Sequence, residues 1–521
     1  MKKIIHIFGL IAFILFCTTI LAVSLRGKAG NPTARDIATK EWKEDGPFEL
    51  SPERGRFALM YSIVENKSYY FSHDIAQFAA PDVGFHNGKF VSLFAPLVSF
   101  LAIPGYMIGK FYGIGQVGAF ATVVVFAMLN FLLIRAISIR LGAHQIAALI
   151  GGFVFLFATP AYAYAVTLYQ HHFSTFLILI SLWSLLKTKR SWALLVVFFA
   201  CALSIPLDYP NLFFMFPIGL YGFGRVVSFA KIKDSFQLKI GLFNVLTPFI
   251  MILPMLFFFW FNNASYGNPL QLSGTVQTAD FQKNNIAPDP LDLEKKVAKE
   301  ETNKVQDEKS AVAFFNTRDI LNGFYIHILS PDRGAFTYTP IMLLAILGLI
   351  VAVKKRVKMA PLLIAIIGAN LLLYSMWGDP WGGWAFGSRY LIPTYALLSI
   401  FLSILLTDYR SKVLLLTIFV ILLLYSLSVN TLGALTTSAL PPKIQVLELE
   451  KISGSVQKYT PLRNWDLIIA GRSKSYVYNT YLQKYITAKE FYFAILFFLA
   501  MTVWLTLSYY VLSIPGTTKK L

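Results

Sequence analysis

Between positions 53 and 82 the chain reads ERGRFALMYSIVENKSYYFSHDIAQFAAPD and places Glu53, Arg56, Glu65, Asp74 and Asp82 close together in sequence, just ahead of an apolar run. A carboxylate held at such a place can take a proton from a hydroxyl nucleophile, or balance charge as a group departs from a phosphate. The same acids also suit a solvated loop in which they cap short helices, and spacing alone leaves both readings open. A second candidate is LYQHHF, with His171 and His172 at the start of an apolar run. Adjacent residues point different ways on a helix, so the pair does not suit a shared metal; hydrogen bonding to a phosphate or a sugar fits better, with packing of one ring in the core as the alternative. LDYPN puts Asp208 in good turn chemistry.

Two arginines complete the set. SPDRGAFTYTP carries Arg333 beside a glycine, and MWGDPWGGWAFGSRYLIP carries Arg389 among Trp381, Trp384, Tyr390 and several glycines. The aromatics suit a membrane-interface belt. The guanidinium is different, because its planar fork matches a phosphate and neighbouring glycines let backbone approach it. Arg333 and Arg389 together could hold a lipid-linked phosphate at headgroup level.

What must position these groups is a membrane bundle. The chain has 521 residues, of which 56% are hydrophobic and only 14% charged, and apolar runs long enough to span a hydrocarbon core recur along it. The expected crossings are 4–24, 117–137, 144–163, 173–187, 191–207, 212–226, 240–262, 337–353, 359–376, 390–407, 413–433 and 490–513. The first could pass for a signal peptide, but Ser24-Leu25-Arg26 is a poor cleavage site, and we read it as an anchor. The run 91–112, broken by Pro96 and Pro104, is expected as a re-entrant or surface-lying helix, because a full crossing there would invert every later loop. Cys17 and Cys201 lie inside apolar runs and offer neither a disulfide framework nor a metal site.

The net charge of +19 then has an explanation other than nucleic acid. Threaded this way, the cytoplasmic turns hold 19 basic residues against Asp234 and Asp408, and the remainder of the chain is close to neutral with 27 basic and 25 acidic residues. Both termini are expected in the cytoplasm. The other side holds 25–116, 263–336 and 434–489 as long segments, so the candidate chemistry falls there. Within 263–336, DPLDLEKKVAKEETNKVQDEKSAVAFF reads as a solvated mixed-charge helix.

In this order and on this one side, RFALMYSIVENKSYYFSHD, APDVGFHNGKFVSLFAPLVSFLAIP, YQHHFSTFLILISLW, LDYPN, DRGAFTYTP and WGGWAFGSRYLIP resemble the GT-C class of membrane glycosyltransferases. The resemblance is in particular to bacterial relatives of dolichyl-phosphate-mannose protein mannosyltransferases and to lipid A aminoarabinose transferases. The resemblance implies an all-α polytopic membrane protein, a GT-C-like bundle of about twelve transmembrane helices with a re-entrant or juxtamembrane helix after the first loop. It implies inverting transfer of a sugar from a polyprenyl-phosphate donor to a glycan, lipid or protein acceptor, on the extracytoplasmic face of a bacterial-type inner or plasma membrane. The essential carboxylate would come from the first loop: Asp82 first, then Asp74, then Glu53. Donor phosphate and substrate would be held among Arg389, Arg333, His171, His172, Lys89, Arg56, Asp208, Trp384 and Tyr390. One departure stands out. Relatives keep an acid and a lysine where this chain has Leu93 and Phe94, and Lys89 is the nearest replacement cation.

No cofactor is required by this reading; a divalent metal could be recruited, although no ligand spacing specifies one. A polysaccharide ligase or polymerase is the alternative enzyme. A lipid or solute transporter is less suited, since the expected crossings contain hardly any ionisable residues.

Overall fold

The computed structural model describes residues 2–43, 46–187, 191–232, 235–240, 242–279 and 314–512. The expected crossings fall on helices: Lys2–Ser24, Gly115–Arg140, Gln145–Phe157, His171–Lys187, Ser191–Leu207, Asn211–Val226, Ile252–Tyr266, Met342–Lys354, Ala360–Ser375, Ile392–Asp408, Val413–Leu435 and Ala488–Leu512. Five helical stretches in the described residues are individually long and apolar enough to cross a membrane, and shorter apolar helices fill out the bundle. The architecture is that of an all-α polytopic membrane protein with two small β-hairpins added. All but Phe314 and Phe315 of the mixed-charge stretch lies outside the described residues.

Two expected crossings are broken. The run 144–163 stops as a helix at Phe157, because Pro160 cannot supply a backbone donor and Thr159 bonds back to the Phe155 carbonyl at 2.7 Å. A short helix, Ala161–Ala165, resumes after it. The run 240–262 likewise passes through a 3₁₀ turn, Thr247–Met251, at Pro248 before its main helix. The run 91–112 becomes a strand end followed by the helix Leu97–Phe111. Its fifteen residues rise about 22 Å. This helix lies back along Gly115–Arg140 with the two backbones touching: a Cβ on Gly118 would fall 2.2 Å from the Gly105 carbonyl oxygen.

The helix Ile392–Asp408 occupies the centre, with 89% of its apolar window buried. Gly348 lets a neighbouring helix touch its Phe401 carbonyl, and Gly151 admits its Ser403 hydroxyl from another side. Around it, the ends of the helices sort by charge. Lys187, Arg225, Lys354, Lys355 and Arg410 mark one end of the bundle, where Lys355 pairs with Asp408 at 2.5 Å. The hairpin Val227–Ile232 with Ser235–Ile240 also follows at this end. His171, Asp208, Tyr374 and Arg389 mark the other.

The first loop caps that second end. Its helix Ser51–Glu65 begins at Pro52, and the Glu53 carboxylate accepts the backbone N–H groups of Glu49 and Leu50, donors a helix start would otherwise leave unpaired. After a short helix, His73–Ala79, the hairpin Val83–His86 with Lys89–Ser92 turns at Asn87-Gly88, both at positive φ (49° and 76°), as an Asn-Gly hairpin turn requires. Glu49 fastens this loop to the remainder of the protein. Its buried carboxylate meets Arg26 at 2.8 Å and Lys474 at 2.9 Å, and accepts the Ser438 N–H at 2.8 Å.

Candidate functional site

Four separate stretches converge beneath the first-loop helix. From above come Glu53 and Arg56. The turn ahead of the helix His171–Lys187 brings Tyr169, Gln170 and His171, the next turn brings Asp208, and the start of the central helix brings Arg389 and Tyr390. The Arg389 guanidinium lies 5.3 Å from the Tyr169 ring and 5.5 Å from the Tyr390 ring. His171 stacks along Tyr169, with centroids 6.0 Å apart, and meets Tyr390 edge-on. Tyr390 in turn lies flat on Tyr374 at 4.1 Å, and His327 braces this pair by bonding the Tyr374 carbonyl at 3.1 Å and Ser388 at 2.6 Å. Gln170 donates to Asp208 at 3.2 Å.

The arrangement is notable for what its polar atoms lack. Arg389 Nε and Nη1, Arg56 Nε, Tyr169 Oη, Gln170 Oε1, His171 Nε2 and Glu53 Oε2 are all buried without a hydrogen-bond partner among the described residues. Buried polar atoms are ordinarily paired, and an unpaired charged donor costs several kcal/mol. Here such atoms, contributed by the first loop, the histidine turn and the 377–389 segment, gather in one place. A group accepting several hydrogen bonds from guanidinium nitrogens is the ligand they match.

Electrostatics give the carboxylates different characters. Burial raises Glu53 to about 7; the nearby charge of Glu49 adds to this, while Arg26 and the two backbone N–H groups oppose it. Burial acts the same way on Glu49, but there Lys474, Arg26 and further hydrogen bonds outweigh it and hold the carboxyl down at about 2. Asp208 is raised by burial, against the pull of Arg56, Gln170 and Arg389. Burial lowers Arg56 to about 10, an effect eased by Asp208 and Tyr169 and deepened by Arg389, so it remains a cation at neutral pH.

Several candidates stand elsewhere. Asp74 is partly exposed and faces the exposed Arg35 at 3.8 Å. Asp82 borders the site: it accepts the Ser51 hydroxyl and is felt by Arg56. Lys89 rests its ammonium over the Tyr70 ring at 4.0 Å, on the exposed hairpin, and does not replace the cation absent at Phe94. His172 points into the bundle, bonded to the Ala161 carbonyl at 2.8 Å. Arg333 is fully buried and gives four of its five guanidinium donors to backbone carbonyls, to Trp381 at 3.0 Å, Asp332 at 2.8 Å, and Gly383 and Leu440 at 2.9 Å. It holds the 377–389 segment in shape, which leaves a single N–H of Nη1 for any phosphate it would share with Arg389. Trp384 belongs to no interface belt either; its indole donates to Gln445 at 3.0 Å beneath the C-terminal loop.

Tyr169, Gln170, Tyr374, His327 and Glu49 are participants that sequence reasoning passed over. Tyr169 and Gln170 immediately precede the histidines that drew attention; the others carry no local signal, since their partners lie far away in the chain. Among the described residues, no three His, Cys, Asp or Glu side chains group closely enough to hold a metal ion.

No protein-family model matches the chain, and no curated protein matches it in sequence. Two solved structures are similar. One is ArnT from Cupriavidus metallidurans in the apo state, with TM-score 0.45, 11% identity, and coverage of 97% of this chain and 77% of that one. The other is ArnT from Cupriavidus metallidurans bound to undecaprenyl phosphate, with TM-score 0.43 and the same identity and coverage. At so distant a likeness, the functional reading rests on the site.

Proposed function

We propose that the protein is a membrane glycosyltransferase of the GT-C kind, moving a sugar from a polyprenyl-phosphate donor to an acceptor hydroxyl on the extracytoplasmic face by inverting displacement. The observation that carries this reading is the set of unpaired guanidinium nitrogens of Arg56 and Arg389, two cations near enough to feel each other and Asp208, at the end of a membrane bundle where Tyr169 also feels the Glu53 carboxylate. The end in question lies opposite the basic turns, which for a membrane protein marks the non-cytoplasmic side.

In this mechanism the donor phosphate lies against Arg56 and Arg389, its lipid tail running down among the apolar helices. Glu53 takes the proton of the acceptor hydroxyl through Oε2 while Oε1 stays fixed to the backbone of residues 49 and 50. The acceptor oxygen bonds to the anomeric carbon as the bond from that carbon to the phosphate oxygen breaks, and the electron pair stays on the leaving polyprenyl phosphate. Charge grows on the phosphate at that moment, so fixed guanidinium groups bind the transition state more strongly than the donor. A carboxyl near 7 is matched to proton transfer at neutral pH. Glu53 takes precedence in this reading because it is buried with one carboxylate oxygen unpaired, whereas Asp82 is only half-buried and Asp74 faces Arg35.

The test is transfer from a polyprenyl-phosphate sugar by the purified, reconstituted protein. Glu53→Gln should reduce transfer to a small residue while retaining binding of undecaprenyl phosphate. Normal turnover by that variant removes Glu53 as the base.

A further inference from the structure

At Phe94 the chain carries an aromatic ring beside the candidate phosphate site, and the ring is held there by an unusual fit. Its face lies 4.8 Å from the Arg56 guanidinium carbon. Its edge presses on the first-loop helix at Gly55, where a Cβ would fall 2.4 Å from Cε2 and 2.5 Å from Cδ2. Real Cβ atoms do not approach so closely, so only glycine lets the ring reach under its neighbour Arg56. The backbone of Phe94 is fixed as well: its N–H donates to the Ser92 hydroxyl at 3.1 Å, that hydroxyl is within 3.3 Å of the Phe94 carbonyl, and Tyr266 donates to the Ser92 carbonyl at 2.8 Å. On the other side, Arg56 Nη1 donates to the Pro52 carbonyl at 2.7 Å while Nε has no partner among the described residues.

Resting on the phosphate-site reading above, we propose that Phe94 is a positioning residue for donor binding. Its ring is a cation–π platform that Gly55 admits, holding the Arg56 guanidinium in one plane with Nε presented to the donor phosphate. A flexible arginine confined by a ring and a single carbonyl loses less freedom on meeting a phosphate than one free to rotate. The site thus supplies its second cation from the first-loop helix, oriented by an aromatic residue from the bend that follows the hairpin.

The test measures affinity of the reconstituted full chain for undecaprenyl phosphate, together with KM and kcat for transfer. Phe94→Leu keeps apolar bulk and removes the ring face, and Phe94→Trp keeps the face. The expected result is about a 5- to 30-fold loss of affinity in Phe94→Leu, seen in KM more than in kcat, with Phe94→Trp within about threefold of wild type. Gly55→Ala should behave like Phe94→Leu, since the added methyl displaces the ring. In an Arg56→Gln background, Phe94→Leu should have no further effect on affinity; a merely structural role would leave its effect intact. Wild-type affinity in Phe94→Leu, or an equal loss in both backgrounds, overturns the proposal. If Arg56→Gln itself leaves affinity unchanged, the phosphate-site reading fails instead.

Discussion

Replacing Arg389 by alanine removes the group on which the proposed chemistry depends most. The side chain offers Nε and Nη1 without protein partners, from a residue fixed between the Tyr169 and Tyr390 rings. A hydrogen bond to a charged group contributes about 1.5–3 kcal/mol, so two of them to one phosphate amount to roughly 3–6 kcal/mol. That corresponds to a loss of about 10²- to 10⁴-fold in binding undecaprenyl phosphate. In the free protein, removing two unpaired donors relieves a burial cost, so the apo variant should be no less thermally stable than wild type. Arg389→Lys keeps the charge without the planar fork and should recover only part of the affinity. The assay is ligand-dependent thermal stabilisation of the detergent-solubilised protein, titrated with undecaprenyl phosphate. Affinity within threefold of wild type for Arg389→Ala would refute the assignment.

Glu53 should give kcat/KM a limb that rises with pH and bends near 7, absent from the small residual activity of Glu53→Gln. The same group makes a stability prediction. A carboxyl raised above its unfolded value binds its proton more tightly when folded, so its contribution to stability falls as pH rises from about 4.5 to about 7, and Glu53→Gln should be progressively favoured over wild type in thermal melts across that window. Glu49→Gln strips the charge that pairs with buried Arg26 and Lys474 and should cost about 3–5 kcal/mol, read as a lowered melting temperature at pH 7. Arg333→Ala should likewise lower stability by losing its backbone carbonyl partners, whereas Asp74→Asn should leave both transfer and melting temperature near wild type.

The helical architecture was legible because each crossing is a local apolar run, and the Asn87-Gly88 turn was legible because two residues are enough to specify it. The site was legible only in outline. Arg333 and Arg389 look alike in sequence, each near glycines at the mouth of an apolar run, yet one gives four donors to backbone carbonyls from segments up to about a hundred residues away and the other keeps nitrogens unpaired among the described residues. Asp74, Asp82 and Glu53 share one loop, and the order we propose among them differs from the sequence expectation for a comparable reason. The helix start at Pro52 turns Glu53 inward, where burial and Glu49 act on it, while the short helix His73–Ala79 leaves Asp74 beside Arg35. Phe94 read as a lost cation; only its distance to Arg56 gives it a place in the site.

The central claim is that guanidinium groups from the first loop and the central helix grip one lipid phosphate. A cryo-electron microscopy structure of the protein with undecaprenyl phosphate tests it most directly. The account predicts the phosphate within hydrogen-bonding distance of both Arg56 and Arg389, with Glu53 Oε2 facing the side from which an acceptor would approach. A phosphate bound elsewhere, with those nitrogens still unengaged, would contradict it.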